Sequence, residues 1–250
     1  MKKTTKMLAI LLAAMTALSG CGGSGTTTTQ TEGKTETTAA AEKTGTETAQ
    51  KGPKDEVVTM AVISSWDTLN IYNTSGNYGN AVADQLFERL VTRTHDGVIE
   101  PRLATQWQIA DDNKSMTFKL AENALWHDGE KLTANDIVFT CKAMTNPDVD
   151  NYYRSAFNVL AGTDDDGIAA DTDQVGVEAV DDYTVKFSFK EPKDQDTILN
   201  AFLSFLYVLP EHILDTGNYA DINNSSFWTS PVGAGPFKYV KDTAGETLEM

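Results

Sequence analysis

The sequence predicts a mixed α/β fold with a partly antiparallel sheet, and three observations in the 250-residue chain indicate it. Apolar and polar residues alternate over short stretches such as 116–120 and 185–189, which is typical of half-buried strands. Over residues 82–91, apolar residues instead recur every three to four positions, as on one face of a helix. These elements follow one another without a regular βαβ repeat, so we expect some neighbouring strands to be antiparallel.

The first predicted elements lie between residues 57 and 120. A near-continuous apolar run at 57–63 predicts a buried strand, and a polar loop follows at 64–80. The next predicted helix has one apolar face, made by Val82, Leu86, Phe87, Leu90 and Val91. The alternating strand at 116–120 comes after it.

A second helix is predicted to begin after Thr133. The Thr133 side chain can cap it, and the carboxylate of Asp136 suits the positive end of the helix. Its inward stripe is predicted to consist of Ile137, Val138, Cys141 and Met144. The Asn-Pro pair at 146–147 should end the helix, because proline cannot continue it.

The remaining elements reach to the last residue. Residues 185–189 should form a strand, and the apolar stretch 198–209 should be helical up to Pro210. We expect a strand at 237–240, a turn at 243–246 and the start of another strand at 247–250. A domain that ends inside a strand leads us to expect a fragment of a longer protein.

The first twenty residues predict export. Lys2, Lys3 and Lys6 precede an apolar core at 7–18, which is shorter than the roughly 20 residues of a membrane span. The Leu-Ser-Gly-Cys at 18–21 resembles a lipobox, in which Cys21 becomes the diacylated first residue of the mature protein. The alternative is an ordinary secretory signal with an incidental cysteine. We predict a lipoprotein signal peptide at 1–20 and a membrane anchor through the lipid on Cys21.

Residues 22–56 contain no Val, Ile, Leu, Met or aromatic residue and are rich in Thr, Glu and Gly. Such a composition cannot bury apolar area, so residues 21–56 are predicted to be a lipidated, disordered tether. The globular part is then residues 57–250.

The formal net charge of −16 argues against binding to nucleic acid or to an anionic membrane surface, since both require cations on the protein. Of only two cysteines, the lipobox takes one. We therefore expect Cys141 to be a small buried apolar residue and not a nucleophile.

Several short motifs suggest chemistry that the rest of the sequence does not support. The two His-Asp-Gly tripeptides at 95–97 and 127–129 are predicted to be hairpin turns. The acidic stretch 164–173 lacks the Gly and Glu positions of a calcium loop, and the Gly-rich segment 233–236 lacks the Lys of a phosphate loop. We therefore predict no metal, no cofactor and no enzymatic activity.

Seven ordered segments resemble extracellular solute-binding proteins of the peptide/nickel class, family 5 of the binding proteins of ABC importers. They are 82–91 (VADQLFERLV), 101–107, 116–120, 126–139 (WHDGEKLTANDIVF), 180–185, 209–212 and 231–237. The resemblance covers residues 57–250. It departs from the family at Arg89, where members usually carry glycine, and at Asn70-Ile71, where Asp-Pro is common.

The resemblance implies a periplasmic-binding-protein-like fold of the peptide-binding type. In that fold two lobes enclose the ligand, close about a hinge and dock on a permease. Residues 57–250 would hold mainly lobe one with an inserted subdomain, and members are considerably longer than this chain.

Family position also implies ligand-contacting residues. Ser75, Gly76 and Asn77 match a loop that lines the backbone of a bound peptide, and Gly76 would let another backbone approach closely. Tyr153 matches an aromatic residue that contacts peptide. Two further candidates lie after the first predicted strand: Ser65 and Trp66. The alternatives are structural, with Trp66 in packing and Tyr153 as a surface residue.

The predicted function is therefore capture of short peptides on the outer side of the cell membrane and delivery to ABC permease subunits, by a monomer. A nickel chelate, an oligosaccharide or another small solute is the alternative ligand. A further alternative is a sensor that contacts a membrane receptor.

Overall fold

A four-stranded antiparallel sheet organises the part of the chain that the computed structural model describes, residues 59–61, 66, 68–74, 76–243 and 246–250. The strands are β1 (Val91–Arg93), β2 (Ile99–Pro101), β3 (Ala104–Ile109), β4 (Ser115–Leu120), β5 (Val177–Asp181), β6 (Thr184–Ser188), β7 (Lys241–Thr243) and β8 (Thr247–Glu249). The central sheet has the order β3-β4-β6-β5, while β1 pairs with β2 and β7 with β8. All these pairs are antiparallel.

The two middle strands carry the core of this sheet. Met116, Phe118 and Leu120 of β4 are buried while Lys119 is exposed, which confirms the alternation predicted there. Phe118 meets Phe187 of β6 edge-on, with ring centroids 5.7 Å apart, in a geometry that aromatic pairs favour.

Two of the described α-helices exceed four residues: α1 (Asn77–Leu86) and α2 (Ala134–Thr145). α3 (Gln195–Thr197) and α4 (Glu211–Leu214) are single turns. In α2 Thr133 is the N-cap residue as predicted and forms a capping box with Asp136. Ile137, Cys141 and Met144 are fully buried, and the helix ends at Asn146. Val138 is only half-buried.

The first helix ends earlier than its apolar pattern predicts. Phe87 already has an extended backbone, and the rest of the pattern passes into β1. The end of the helix is bound by a segment far along the chain: the Gly235 N–H donates to the Leu86 carbonyl at 3.0 Å, and the Phe237 N–H to the Gln85 carbonyl at 3.0 Å. Because these partners satisfy carbonyls that an isolated helix leaves free, α1 stops there.

The prediction of one helix over 198–209 is wrong. A π-helical turn at Ile198–Phe202 is followed by a 3₁₀ turn at Leu203–Phe205 and then by extended chain. The extended part is held by distant acceptors, since the Leu209 N–H donates to the Thr140 hydroxyl at 2.9 Å. A continuous helix would not offer that N–H to α2.

The turns are as predicted, and one strand is displaced. Gly97 and Gly129 have φ of 82° and 99°, which a residue with a side chain rarely adopts, and each lies in a tight turn. The turn before β8 is confirmed by a hydrogen bond from the Glu246 N–H to the Thr243 carbonyl. Strand pairing begins at Lys241 and not at residue 237 as predicted.

The N-terminal predictions fall mostly outside the described residues. These are the signal peptide at 1–20, Cys21, the tether and most of the strand expected at 57–63. Residues 59–61 of that stretch are described, are exposed and lie in no strand. Within the described residues no helix is both long enough and apolar enough to cross a membrane.

Candidate ligand-binding site

The loop before α1 is a tight turn built around Asn70. Its side-chain oxygen accepts from the Tyr72 N–H at 3.1 Å, and its carbonyl accepts from the Asn73 and Thr74 N–H groups, both at 3.0 Å. The Asn70 side chain is buried, so these bonds are protected from water. Asn70 therefore stabilises the turn by hydrogen bonding.

Gly76 occupies an open position at the start of α1. It is the exposed N-cap residue, with an extended backbone. Apart from its chain neighbours, no atom of the described residues would come within 4 Å of a Cβ placed on it. Asn77, the first residue of the helix, is also exposed. The predicted residues Ser65 and Ser75 lie outside the described residues.

Tyr153 is joined to both ends of this loop. Its hydroxyl oxygen lies 2.9 Å from the Thr74 carbonyl oxygen and 2.9 Å from Asn80 Oδ1. A phenol has one proton, so the Tyr153 hydroxyl donates to the Thr74 carbonyl. When the side-chain amide of Asn80 is rotated by about 180°, its Nδ2–H donates to the phenol oxygen. Tyr153 is thereby held at the start of α1. The first turn of this helix runs from Gly76 and Asn77 to Asn80.

Of the predicted residues, Tyr153 is thus bonded to Thr74 and Asn80, which precede and follow Gly76 and Asn77 in the sequence. Trp66 is half-buried and packs against the hydrophobic core. That position agrees with the packing role which the sequence left open for it.

Phe205 and Tyr207 lie beside Tyr153 and Tyr72 and were missed at the level of sequence. The Phe205 ring stacks on the Tyr153 ring, with centroids 5.0 Å apart and an interplanar angle of 18°. The Tyr207 carbonyl accepts a hydrogen bond of 2.7 Å from the Tyr72 hydroxyl. No local pattern distinguishes these two aromatic residues from their buried apolar neighbours.

Arg89, the departure from the family glycine, binds the Tyr207 side chain. Its guanidinium carbon lies 4.3 Å from the centre of the Tyr207 ring, and the guanidinium also contacts the Tyr207 hydroxyl and pairs with Asp84. The Tyr207 hydroxyl in turn donates to Asp84 Oδ1 at 2.6 Å. We call these three residues the Arg89 cluster.

The buried phenols near the site are protonated donors and not bases. Burial raises the pKa of Tyr72 well above its usual value. Burial also raises the pKa of Tyr207, although the Arg89 guanidinium opposes that change. Both hydroxyls donate to acceptors of the protein, so the arrangement is suited to holding shape.

Two other aspartates, Asp136 and Asp164, bind backbone N–H groups. Asp136, at the start of α2, accepts from the Thr133 N–H at 2.8 Å and from the Glu211 N–H at 3.0 Å. In the predicted acidic loop, Asp164 Oδ1 accepts from the Asp166 and Ile168 N–H groups at 3.0 and 2.8 Å. Within the described residues no group of three or more His, Cys, Asp or Glu side chains could hold a metal ion.

The one cysteine in the described residues is buried and is not a nucleophile. Cys141 is free and fully buried, and burial raises the pKa of its thiol. A thiol that stays protonated is a poor nucleophile, so Cys141 acts as the small apolar residue predicted for it.

Comparison with known proteins identifies the family. Residues 98–250 match the family described as bacterial extracellular solute-binding proteins, family 5, middle region. The periplasmic murein peptide-binding protein MppA of Escherichia coli is 33% identical over 175 residues, which are 67% of this chain and 30% of that protein. The periplasmic oligopeptide-binding protein OppA of Haemophilus influenzae is 28% identical over 182 residues, covering 72% and 33% of the two chains.

Solved structures agree in fold. The oligopeptide-binding protein AppA from Bacillus subtilis, in complex with a nonapeptide, has a TM-score of 0.62 at 26% identity, over 73% of this chain and 33% of that one. NikZ from Campylobacter jejuni, in complex with Ni(L-His), has a TM-score of 0.57 at 27% identity, over 71% and 31%.

The fold class predicted from the sequence is confirmed: these neighbours have the two-lobed peptide-binding type of fold, and the chain corresponds to part of it. The chain spans about a third of the length of the relatives it matches. The family consists of binding proteins, in agreement with the prediction that the chain is not an enzyme. This chain belongs to the bacterial extracellular solute-binding proteins of family 5.

Proposed function

We propose that the complete protein captures short peptides outside the cytoplasm and delivers them to the permease of an ABC importer. The observation that carries the proposal is the open space at Gly76 beside the fixed ring of Tyr153. Family membership and the peptide ligands in the names of several relatives support it.

The ligand backbone would lie along residues 75–77. The first N–H groups of a helix have no partner inside the helix, and Asn77, the first residue of α1, is exposed. Carbonyl groups of an extended peptide can accept from them, which gives affinity without reading the side chains. Gly76 lets the two backbones approach, Tyr153 borders the space, and Ser65, Ser75 and Trp66 are further proposed contacts.

The test is a threonine at position 76. Gly76→Thr fills the open space, while threonine is about as good an N-cap as glycine, so α1 should keep its stability. We expect peptide affinity of the complete protein to fall by about tenfold or more, the equivalent of at least 1.4 kcal/mol, in calorimetric titration with a pool of short peptides. The melting temperature should stay close to that of the wild type.

Asn218→Thr is the matched control. Asn218 is another exposed N-cap residue, whose side chain accepts from the Ala220 N–H, and its replacement should leave peptide binding unchanged. If Gly76→Thr bound peptides as tightly as the wild type, the proposed site would be wrong.

The same titrations decide between peptide and the alternative ligands. Nickel-histidine is included because NikZ, a neighbour in fold, is solved with Ni(L-His). Cello-oligosaccharides represent the sugar alternative. Binding of either compound, with no binding of the peptide pool, would replace the peptide proposal and leave the family assignment intact.

We further propose the arrangement of the whole chain: a lipoprotein signal peptide at 1–20, lipid on Cys21, a tether at 21–56 and lobe one with its inserted subdomain at 57–250. The protein would be a monomer on the outer side of the cell membrane. The support is the lipobox-like sequence and the composition of the tether. Cys21→Ser should move the protein from the membrane fraction to the soluble fraction, and continued membrane association would contradict the anchor.

A further inference from the structure

Phe205 is exposed in a stretch of chain whose neighbouring large apolar residues are buried. Its relative exposure is 36%, whereas four neighbours are at most 4% exposed: Phe202, Leu203, Leu206 and Tyr207. The exposed position follows a π-helical turn and ends a 3₁₀ turn. Such π turns interrupt a regular helix and are frequent at functional sites.

The stack with Tyr153 holds Phe205 in place. The two rings are nearly parallel, at 5.0 Å and 18°, and we call them the aromatic pair. Because the Tyr153 hydroxyl is bound to the Thr74 carbonyl and to Asn80, the pair is fixed relative to the loop that contains Gly76. An immobile aromatic surface can bind a ring without losing further side-chain entropy.

Several side chains next to the aromatic pair or near the start of α1 are uncharged. Gly76, Asn77 and Asn80 carry no charge, and neither does the exposed Tyr152. The guanidinium of Arg154 contacts the Val149 carbonyl. An aromatic ring of a ligand would gain a stacking partner at this surface.

We propose that the aromatic pair is a side-chain subsite that takes an aromatic side chain of the bound peptide, with Phe205 as a specificity-determining residue. The inference rests on the proposed function, because it assumes a peptide backbone at Gly76. Backbone contacts give affinity for peptides in general, and the aromatic pair adds a preference among them.

The experiment compares four peptides on the complete protein by calorimetry: Ala-Ala-Ala and the three tripeptides in which one alanine is replaced by phenylalanine. We expect the wild type to prefer one phenylalanine peptide over Ala-Ala-Ala by roughly 3–10-fold, the size of an aromatic stacking contribution. Phe205→Ala should abolish this preference and change the affinity for Ala-Ala-Ala by less than about twofold. Phe205→Tyr should keep the preference.

Controls separate a subsite from a structural role. Phe237 is another exposed aromatic residue, 47% exposed, and Phe237→Ala should keep the preference. If Phe205→Ala melts at a lower temperature, Phe205→Leu, which retains apolar volume, takes its place and should also lose the preference.

Each outcome decides the inference. Peptide binding by the wild type without a preference for phenylalanine would overturn the subsite and leave the proposed function standing. A Phe205→Ala variant that weakens all four peptides equally would do the same. A wild type that binds none of the four peptides overturns the subsite together with the proposed function.

Discussion

Gly233 shows how a single residue position can depend on the absence of a side chain. A Cβ at this position would lie 1.7 Å from the carbonyl oxygen of Leu86, the last residue of α1. Its own carbonyl accepts from the His127 N–H at 2.8 Å, so the backbone of Gly233 is held between two elements. The obstacle is backbone and not the end of a flexible side chain, so it cannot move aside cheaply.

We therefore expect Gly233→Ala to destabilise the protein by at least about 2–3 kcal/mol, because an overpacked backbone contact must be relieved by moving a helix end. Chemical denaturation of the variant and the wild type measures the difference.

Gly76→Ala is the stability control, since a Cβ at position 76 meets open space. It should cost well under about 1 kcal/mol, as expected for a helix N-cap. Equal stabilities of the two variants would show that the close approach at Gly233 carries no energetic weight.

At the level of residues, the sequence predicted best what is decided locally. The cap at Thr133 and the turns at Gly97 and Gly129 depend on a few neighbouring residues and on φ, and the structure has all of them. The grouping of Phe205 with Tyr153 depends on a contact between rings that are 52 positions apart in the numbering, since 205 minus 153 is 52. No short pattern encodes such a contact.

The carboxylate of Asp136 in α2 connects the starts of two helices. Asp136 accepts from the Thr133 N–H at its own start and from the Glu211 N–H at the start of α4. The sequence predicted the cap at Thr133 and the position of Asp136 at the positive end of the helix. It could not predict the second bond, because Glu211 lies 75 positions away.

Asp136→Ala should therefore cost more than the loss of an ordinary cap. Two backbone N–H groups in a partly buried region would lose their acceptor, and we expect a destabilisation of about 2–4 kcal/mol, against about 1 kcal/mol for a single cap. The measurement is urea denaturation followed by circular dichroism.

Asp112→Ala provides the comparison, because Asp112 accepts only one exposed local bond, from the Lys114 N–H at 2.9 Å. Its effect should lie within about 0.5 kcal/mol. If Asp136→Ala were no worse than about 1 kcal/mol, the bond to Glu211 would contribute little to the docking of α4.

The two helices that the apolar pattern predicted too long share one physical cause. The apolar periodicity of 82–91 continues past Leu86, but the backbone of residues 235–237 binds the end of α1 and stops it. The apolar stretch 198–209 loses its helix where the Leu209 N–H binds Thr140. In both cases a hydrogen bond to a distant segment outweighs helix propensity, which is worth only tenths of a kcal/mol per residue.

On the scale of the whole described molecule, long-range polar bonds join segments that the apolar pattern leaves unrelated. The Tyr72 hydroxyl binds the Tyr207 carbonyl across 135 positions, and the Tyr152 N–H donates to the Tyr72 carbonyl at 2.9 Å. These bonds connect the loop before α1, the segment after α2 and the extended chain near Pro210. The candidate site lies where the three segments meet, so no local pattern of the sequence indicates it.

The Arg89 cluster is the part of this long-range framework that differs from the family, and its contribution can be measured. The Arg89 side chain is only 19% exposed, and it contacts both the Tyr207 ring and Asp84. Arg89→Ala should destabilise the protein by about 1–2 kcal/mol, the sum expected of a partly desolvated cation–π contact and a partly exposed ion pair. Arg89→Lys should recover only part of this, because an ammonium keeps the charge but lacks the planar fork that reaches two partners.

Arg93→Ala, which removes an exposed arginine with one long contact of 3.4 Å to the Gly97 carbonyl, should change stability by less than about 0.5 kcal/mol. If the alanine variants at 89 and 93 were equally stable, arginine at position 89 would contribute nothing to stability, and Tyr207 would be held by its bonds to Asp84 and Tyr72.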